Sequence, residues 1–335
     1  MAIKAKELAR LLGVSPATVS LVLNGKPGIC EGTRQQLTRQ IRDLGYGYML
    51  CGEEHYAQGK AVSYVVYPGE PHVFSLAVLE GAQEMAQEAG YTLSLIHVGK
   101  GDRALSGCLR RGETLGLLVQ KACLEDRDME ELEALGAPYV MVDTDRADRD
   151  VNCVSVNSRQ GFCKLVDYLA GMGHRALGYL FCRRGCTSAA ERRENFYRAM
   201  AHFGLPVEPD YCIALECPKQ DISRRMEQLL AQGMPLPTAF LAEDDRVACQ
   251  AMKAFARCGY RVPEDISVVG FGDSELCTMV SPELTTVRVP YRTLGREAMS
   301  LLLQKLRGGT EDGPLCTRLE VGVELVVRGS VKARQ

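Results

Sequence analysis

The chain has 335 residues, of which 46% are hydrophobic and 24% charged, and its formal net charge is −2. The length suggests two or three domains, and the composition is that of an ordinary globular protein. No run approaches the roughly 18 apolar residues of a membrane-spanning helix, and the start has no apolar signal-peptide core, so we expect a cytoplasmic protein without membrane contact.

The first 45 residues are basic, with seven Lys or Arg against three acidic residues, and they predict three short helices. Gly13 ends the first helix, and Ser15 and Pro16 suit the N-cap and the first position of the second. A third helix is expected over roughly 31–44. The expected inward positions are Leu8, Leu11, Leu12, Val19, Val22, Leu23, Leu37, Ile41 and Leu44. This arrangement predicts a helix-turn-helix whose second helix enters the major groove of DNA.

The stretch ELARLLGVSPATVSLVLNG, residues 7–25, resembles the helix-turn-helix of the lactose-repressor (LacI) family. The resemblance implies that Pro16, Ala17 and Leu21 read bases. Since Ala17 and Leu21 cannot make bidentate hydrogen bonds, worth about 1–3 kcal/mol each, we expect recognition through thymine methyls and DNA shape. The whole predicted DNA-binding set is Ser15, Pro16, Ala17, Thr18, Ser20, Leu21, Asn24, Thr33 and Arg34. By pattern alone, a surface helix with capping hydroxyls is the alternative.

Residues 47–60 form a linker that departs from the family pattern. In the family a hinge helix places a leucine in the minor groove. Here Tyr48 and Met49 replace the usual Pro-Asn, and the glycines at 47 and 52 each weaken a helix by about 1 kcal/mol. We expect a flexible tether, with Met49 or Leu50 as alternative wedges.

From residue 61 onward, strand-like and helix-like segments alternate in two series. This predicts an α/β fold of two doubly wound parallel sheets whose ligand lies beyond the carboxyl ends of the strands. The motifs GMGHRALGYL, VPEDISVVGF, SPELTTVRVPYRTLGREAM and ELVVRGS resemble the periplasmic-binding-protein-like sensor domain of the same family. The predicted division is 1–46 for the DNA-binding domain and 61–335 for effector binding and dimerisation. Within the latter, the first subdomain spans about 61–158 and 290–320, and the second about 159–289 and 321–330.

The same resemblance implies a set of effector-binding residues in the cleft between the subdomains. They are Phe74, Asn157, Arg192, Asp244 and Asp273. The guanidinium fork of Arg192 can hold two hydroxyls or a carboxylate. Gly272 replaces the aspartate that usually binds the ligand. Alternatives are a core position for Phe74, a solvated charge for Arg192, a helix-capping role for Asp245 and a structural role for His174.

Catalytic and metal-binding patterns are absent from the sequence. It contains neither G-x-S-x-G nor a phosphate-binding glycine motif, and its five histidines lack metal-ligand spacing. The fourteen cysteines contain no C-x-x-C pair and are expected to be reduced. We therefore expect no enzyme, cofactor or metal. The sequence predicts a homodimeric transcriptional regulator, typically a repressor, that binds operator DNA and a sugar-like or nucleoside-like effector; the alternative is a cytoplasmic small-molecule sensor with weakened DNA binding.

Overall fold

The structure is a computed structural model. It describes residues 5–23, 28–43, 61–67, 72–98, 105–109, 114–120, 125–143, 150–182, 187–215, 222–307 and 316–334.

Three helices form the amino-terminal unit: α1 (Ala5–Leu12), α2 (Pro16–Leu23) and α3 (Glu31–Asp43). The turn between α1 and α2 uses Gly13 at a φ of +67°, a left-handed conformation that favours glycine. Ser15 caps α2, since its Oγ accepts a hydrogen bond from the Thr18 main-chain N–H at 3.0 Å. The predicted helix start at Pro16 is therefore confirmed.

A small apolar core holds these helices together. For one residue, Leu11, the prediction that it belongs to this core is wrong. Leu8, Val19 and Ile41 are fully buried, whereas Leu11 is 59% exposed. Successive helical residues turn by about 100°, so Leu8, Ala9 and Leu12 share one face and Leu11 falls outside it. Ala9, with its small side chain, takes the inward position that the leucine spacing had suggested for Leu11.

After residue 60, strands and helices alternate as predicted. The strands are β1 (Ala61–Val66), β2 (Thr92–His97), β3 (Leu117–Gln120), β4 (Tyr139–Val142), β5 (Cys153–Val156), β6 (Leu177–Cys182), β7 (Cys212–Leu215), β8 (Ala239–Ala242), β9 (Ser267–Val269), β10 (Thr286–Arg288), β11 (Arg318–Val321) and β12 (Glu324–Val326). The helices are α4 (His72–Glu88), α5 (Leu105–Cys108), α6 (Asp126–Leu135), α7 (Ser158–Gly171), α8 (Thr187–His202), α9 (Ile222–Ala231), α10 (Asp245–Arg257), α11 (Leu276–Met279) and α12 (Tyr291–Leu306).

The strands form two parallel sheets and a short antiparallel ribbon. The first sheet has the order β11-β5-β4-β3-β1-β2, the second β7-β6-β8-β9, and β10 pairs with β12 in the ribbon. The chain enters the second sheet after β5, returns to the first at β11 and leaves it again for β12. The predicted α/β class with parallel sheets is thus confirmed, while the residue boundaries of the subdomains stay a prediction.

Buried aliphatic strands give both sheets continuous cores, as parallel sheets covered by helices require. β1 and β3 are buried along their whole length, and so is β8 in the second sheet. Helix α12 packs against α4, and Arg296 on α12 pairs with Glu88 on α4 at 3.1 Å. These cores hold the strand ends in fixed positions, so the loops that follow the strands can carry a binding site.

Candidate functional site

The outward face of α2 is the first candidate site. Its inward positions, Val19 and Val22, are buried in the three-helix core, whereas Pro16 and Ala17 are exposed. Ser15 and Ser20 are exposed as well. The helix therefore presents small polar and apolar groups to solvent from a packed support, which is the geometry that a recognition helix needs.

The Ser15 and Thr18 hydroxyls are already ordered relative to each other. Their Oγ and Oγ1 atoms lie 2.8 Å apart, and the Ser15 oxygen also caps the helix. The N-terminus of α2 carries no acidic residue in its first turn. Because a helix N-terminus favours anions, this end can accept a backbone phosphate.

Leu21 and Arg34 have structural contacts that the sequence did not predict. Leu21 is half-buried, and its side chain lies close to Gly28. A Cβ added to Gly28 would be only 3.3 Å from the Cδ1 of Leu21. Arg34 is buried, and its Nη1 donates to the Leu21 main-chain carbonyl at 3.4 Å. Arg34 thus supports the end of α2 from α3. Whether either residue also contacts DNA stays a prediction.

Two predicted parts of the DNA interface need separate mention. Thr33 is exposed, and its Oγ1 lies 3.0 Å from the Sγ of Cys30 at the start of α3. Asn24 and the linker at 47–60 lie outside the described residues.

A second candidate site lies where strand ends of the two sheets meet. Asp143 follows β4 in the first sheet, and Glu243 follows β8 in the second. Arg192 reaches this place from α8, and Tyr291 reaches it from the start of α12. Burial alone would lower the pKa of Arg192, but the nearby acidic groups of Tyr291, Asp143 and Asp244 outweigh this effect. The pKa of Arg192 is therefore raised above its ordinary value. The structure therefore gathers groups from both sheets around one guanidinium.

Arg192 is held in place by two contacts within the second sheet. Its Nη1 donates to the Glu243 main-chain carbonyl at 3.0 Å, and its guanidinium carbon lies 4.9 Å from the centre of the Phe271 ring. The neighbouring Arg193 is exposed and lies 5.3 Å from the Phe181 ring centre. Of the two adjacent arginines, Arg192 is the one that faces the gathered acids. Its predicted effector role stays a prediction.

Asp143 and Tyr291 belong to this cluster and were missed by the sequence analysis. Burial raises the pKa of Asp143 to about 6, while the Arg192 charge acts in the opposite direction. Burial also raises the pKa of Tyr291. Asp143 adopts a φ of +54°, in the left-handed region. Its position directly after a buried strand was a signal that could have found it, because ligands of such sheets bind at strand ends.

Two predicted effector residues act as helix caps. The Asn157 side chain accepts a hydrogen bond from the Gln160 N–H at 2.8 Å, at the start of α7. The Asp244 side chain accepts one from the Val247 N–H at 2.7 Å, at the start of α10. The expectation that Asp245 caps this helix is wrong, since Asp244 is the N-cap.

Asp245 is instead a buried connector between segments. Its carboxylate accepts hydrogen bonds from the Ser274 N–H at 2.7 Å and from the Thr286 hydroxyl at 2.5 Å. Burial raises its pKa, and these hydrogen bonds act in the opposite direction. The residue therefore ties the start of α10 to the segments that follow β9 and lead into the ribbon.

Asp273 is engaged by two arginines. Its Oδ2 accepts from Arg288 Nε at 2.7 Å, and its Oδ1 accepts from Arg328 Nη2 at 2.6 Å. Its φ is +58°. These contacts join the loop after β9 to Arg288 at the end of β10 and to Arg328, which follows β12. The remaining predicted residue, Phe74, lies on the first turn of α4, and its side chain is outside the described part of the chain.

His174 has the structural role expected of it. It is fully buried, with Nδ1 2.9 Å from the Thr238 hydroxyl and Nε2 3.1 Å from the Lys332 carbonyl. Burial lowers its pKa. Within the described ranges, no group of three or more His, Cys, Asp or Glu is arranged to hold a metal ion, and no helix is long and apolar enough to cross a membrane.

One cysteine departs from the expected reduced state. Cys182, at the end of β6, is disulfide-bonded. The other cysteines that the structure describes are free.

Comparison with known proteins finds matches for both parts of the chain that carry a candidate site. Residues 4–47 match the family model for bacterial regulatory proteins of the lacI family, and residues 166–331 match that of a periplasmic binding protein-like domain. The HTH-type transcriptional repressor PurR of Photobacterium profundum is 28% identical over 332 residues, covering 98% of each chain. PurR of Vibrio vulnificus is 27% identical over 333 residues, again covering 98% of each chain. These relatives are named as repressors and not as enzymes.

Solved structures share the same fold. A complex of the transcriptional regulator CelR with cellobiose matches with a TM-score of 0.72 and 25% identity, covering 98% of this chain and 100% of that one. The lac repressor dimer bound to operator and the anti-inducer ONPF matches with a TM-score of 0.72 and 24% identity, covering 99% of this chain and 100% of the other.

Proposed function

The chain belongs to the LacI family of bacterial regulatory proteins, and we propose that it is a repressor whose affinity for operator DNA depends on a small effector. The observation that carries the proposal is the outward face of α2, where Ser15, Pro16, Ala17 and Ser20 are exposed on a packed three-helix support. Apart from the helix cap that Ser15 provides, these side chains lie away from the apolar core that stabilises the unit.

The proposed DNA contacts divide into two kinds. Pro16, Ala17 and Leu21 meet base edges, and the hydroxyls of Ser15, Thr18, Ser20 and Thr33 meet phosphates together with Asn24. Phosphate contacts fix the register on the duplex, and base contacts supply the sequence preference. With few hydrogen-bonding groups at the base-reading positions, methyl contacts and DNA shape carry much of the preference. Arg34 assists by holding the carbonyl end of α2.

We further propose that the effector binds among Asp143, Arg192, Asp244 and Tyr291. The groups belong to different sheets, so a ligand that contacts all of them favours one relative position of the two α/β units. Such differential affinity shifts the population of conformations and couples the cleft to DNA, typically by about 1–3 kcal/mol. The acids and the arginine fork suit a small polar metabolite such as a sugar or a nucleoside.

A homodimer is the proposed active form. One amino-terminal unit offers few base contacts, whereas two units can bind a palindromic operator with half-sites one or more helical turns apart. The related lac repressor is a dimer on its operator. We also infer that the protein acts in the cytoplasm, where operator DNA is found, and that it has no catalytic activity, in keeping with its repressor relatives.

Fluorescence anisotropy with a labelled DNA fragment from the region upstream of the chain's own gene tests the DNA-binding proposal. Affinity should fall steeply with salt, with a slope in log–log form of about 0.9 for each phosphate contacted. Ala17→Asp places a negative charge on the proposed reading face and should weaken binding by about 5- to 150-fold, since one wrong contact costs about 1–3 kcal/mol. Gln40→Asp, an exposed change on α3, is the matched control and should leave affinity nearly unchanged. Equal affinities for the two variants would refute the proposal.

The adjacent arginines allow an equally direct test of the cleft. A thermal-shift screen of sugars, sugar phosphates and nucleosides identifies a stabilising compound, whose effect on DNA affinity is then measured. Arg192→Ala should abolish the stabilisation, while Arg193→Ala, which removes an exposed side chain one position along, should keep it. A compound that stabilises both variants equally binds elsewhere, and the cleft assignment would then be withdrawn.

A further inference from the structure

Two polar atoms lie buried without a hydrogen-bond partner beside the cleft. They are the Tyr179 hydroxyl and the Oε2 of Glu243. Tyr179 is 0% exposed and Glu243 5% exposed, and neither atom has a partner among the residues that the structure describes. Buried polar groups are nearly always hydrogen-bonded in folded proteins, so two such atoms in one neighbourhood indicate an unaccounted partner.

Neighbouring strands of the second sheet bring the two residues together. Tyr179 on β6 pairs in register with Leu241 on β8, and Glu243 follows two residues later. Side chains two positions apart share a face of a sheet, so Tyr179 and Glu243 lie on the same face. Burial contributes most to the raised pKa of Tyr179, and the negative charge of Glu243 is the next largest contribution in the same direction. The two groups therefore form a single polar spot under α8.

The polar spot adjoins the cleft through Arg192. The guanidinium of Arg192 donates a hydrogen bond to the main-chain carbonyl of Glu243, and its positive charge works against the rise in the pKa of Tyr179. The Glu243 carboxylate itself accepts a hydrogen bond from the Cys182 main-chain N–H at the end of β6. That bond leaves the other carboxylate oxygen, Oε2, pointing to no described donor.

The charges around Glu243 leave it without a cation of its own. Burial, followed by the charge of Asp244, raises the pKa of Glu243 to about 7, while Arg192 and Arg246 act in the opposite direction. Arg192 is committed to a carbonyl and to the Phe271 ring, and Arg246 lies 3.7 Å from Asp244. A buried carboxylate in this position is stable when it is protonated or when a cation joins it.

Aromatic rings line the same spot. Tyr179 stacks on Phe196, with centroids 4.7 Å apart, and on Phe181, with centroids 5.6 Å apart. The faces of aromatic rings attract cations more strongly than they attract neutral hydroxyl groups. A hydroxyl or a water could donate to Glu243, but neither would neutralise the buried charge. An ammonium group does both and can also donate to the Tyr179 oxygen.

We propose that Glu243 and Tyr179 form an additional subsite of the effector cleft, which binds the ammonium group of an amine-bearing effector. The inference rests on the proposed effector role of the cleft. It extends that role because neither residue is among those that the family resemblance predicts. Arg192 then holds a hydroxyl or carboxylate group of the same effector, Asp143 holds a hydroxyl, and the amine lies against the second sheet.

Matched pairs of compounds test the subsite in the full-length chain. Glucosamine is compared with glucose, galactosamine with galactose, and putrescine with 1,4-butanediol, by thermal shift and calorimetry at pH 7. In at least one pair the amine should bind about tenfold or more tightly than its hydroxyl analogue. Glu243→Gln should remove that preference, because the amide keeps the shape and loses the charge.

Two further variants separate binding from folding. Tyr179→Phe removes only the hydroxyl and should weaken amine binding by about tenfold or more, since one charge-assisted hydrogen bond is lost. Glu130→Gln, an exposed charge removal on α6, is the matched control and should change nothing. Circular dichroism confirms that each variant is folded.

Each outcome decides the question. A preference for an amine that disappears in Glu243→Gln supports the subsite. If no amine in the panel binds better than its analogue, or if the preference survives Glu243→Gln, the subsite is refuted. Operator binding is measured in parallel: retained DNA binding with a failed amine panel refutes the subsite alone, whereas lost DNA binding counts against the proposed function itself.

Discussion

Replacing Asp273 by Asn tests whether this residue is a structural clamp or an effector ligand. In the folded chain both carboxylate oxygens are occupied, one by Arg288 at 2.7 Å and the other by Arg328 at 2.6 Å. Asn keeps the size of the side chain and tolerates the left-handed φ of +58°, so the change isolates the charge.

The two ion pairs of Asp273 contribute unequally. The side chains of Asp273 and Arg328 are only 9% and 14% exposed, and a charge-assisted hydrogen bond in such a setting is worth about 1.5–3 kcal/mol. Arg288 is 50% exposed, so solvent screening reduces its pair to about 0–1 kcal/mol. Because the amide retains one acceptor, Asp273→Asn should lower the free energy of unfolding by about 2 kcal/mol.

Urea unfolding followed by circular dichroism measures this loss, and calorimetry measures the affinity for the identified effector. Asp265→Asn is the matched control, since Asp265 also accepts two hydrogen bonds from one arginine side chain but lies at an exposed site, and it should have the smaller effect. A variant with unchanged stability and no effector binding would contradict the clamp and would assign Asp273 to the ligand.

Three other changes follow from specific contacts. Gly161→Ala would place a Cβ 2.5 Å from Phe271 and should destabilise by about 1–3 kcal/mol in thermal unfolding, whereas Gly171→Ala, with nothing within 4 Å, should have little effect or stabilise. Glu243 has a pKa of about 7 in the folded state against an ordinary value of 4.5, so the folded state holds the proton more tightly and the free energy of unfolding falls as the pH rises from about 4.5 to 7. Glu243→Gln should flatten this decrease. An unchanged dependence of stability on pH in the variant would contradict it. Ser15→Ala should cost about 1 kcal/mol by removing the α2 cap, and Ser15→Asn should restore most of it; melting of the amino-terminal unit followed by circular dichroism checks both, and equal stabilities would exclude the cap.

Local signals in the sequence predicted the elements well. The cap at Ser15, the turn at Gly13 and the stripe of Val19 and Val22 depend on neighbours within one or two helical turns. Strands such as β1 are buried apolar runs that the alternation of segments reveals directly. Even here the spacing of leucines was insufficient, because the partners of α1 decided that Ala9 faces inward and Leu11 outward.

The roles of the polar residues required the tertiary structure. Asp244 and Asp245 are adjacent, yet one caps α10 and the other bonds to Thr286, 41 residues away. Asp273, which the sequence predicts as an effector ligand, has both oxygens bonded to arginines, and its effector role stays a prediction. A one-residue difference in position along the chain decides which groups a carboxylate meets, and the sequence does not contain that information locally.

By itself, the sequence determined the fold class, the helix-turn-helix and the family, because periodic burial, turn residues and short motifs are read from near neighbours in the chain. Only the tertiary structure decided that Asp143, Arg192 and Tyr291 share one cleft and that Glu243 and Tyr179 lie beside it without partners. The physical reason is distance along the chain: these groups meet because strand ends of two sheets converge, and electrostatic and hydrogen-bonding interactions depend on separation in space.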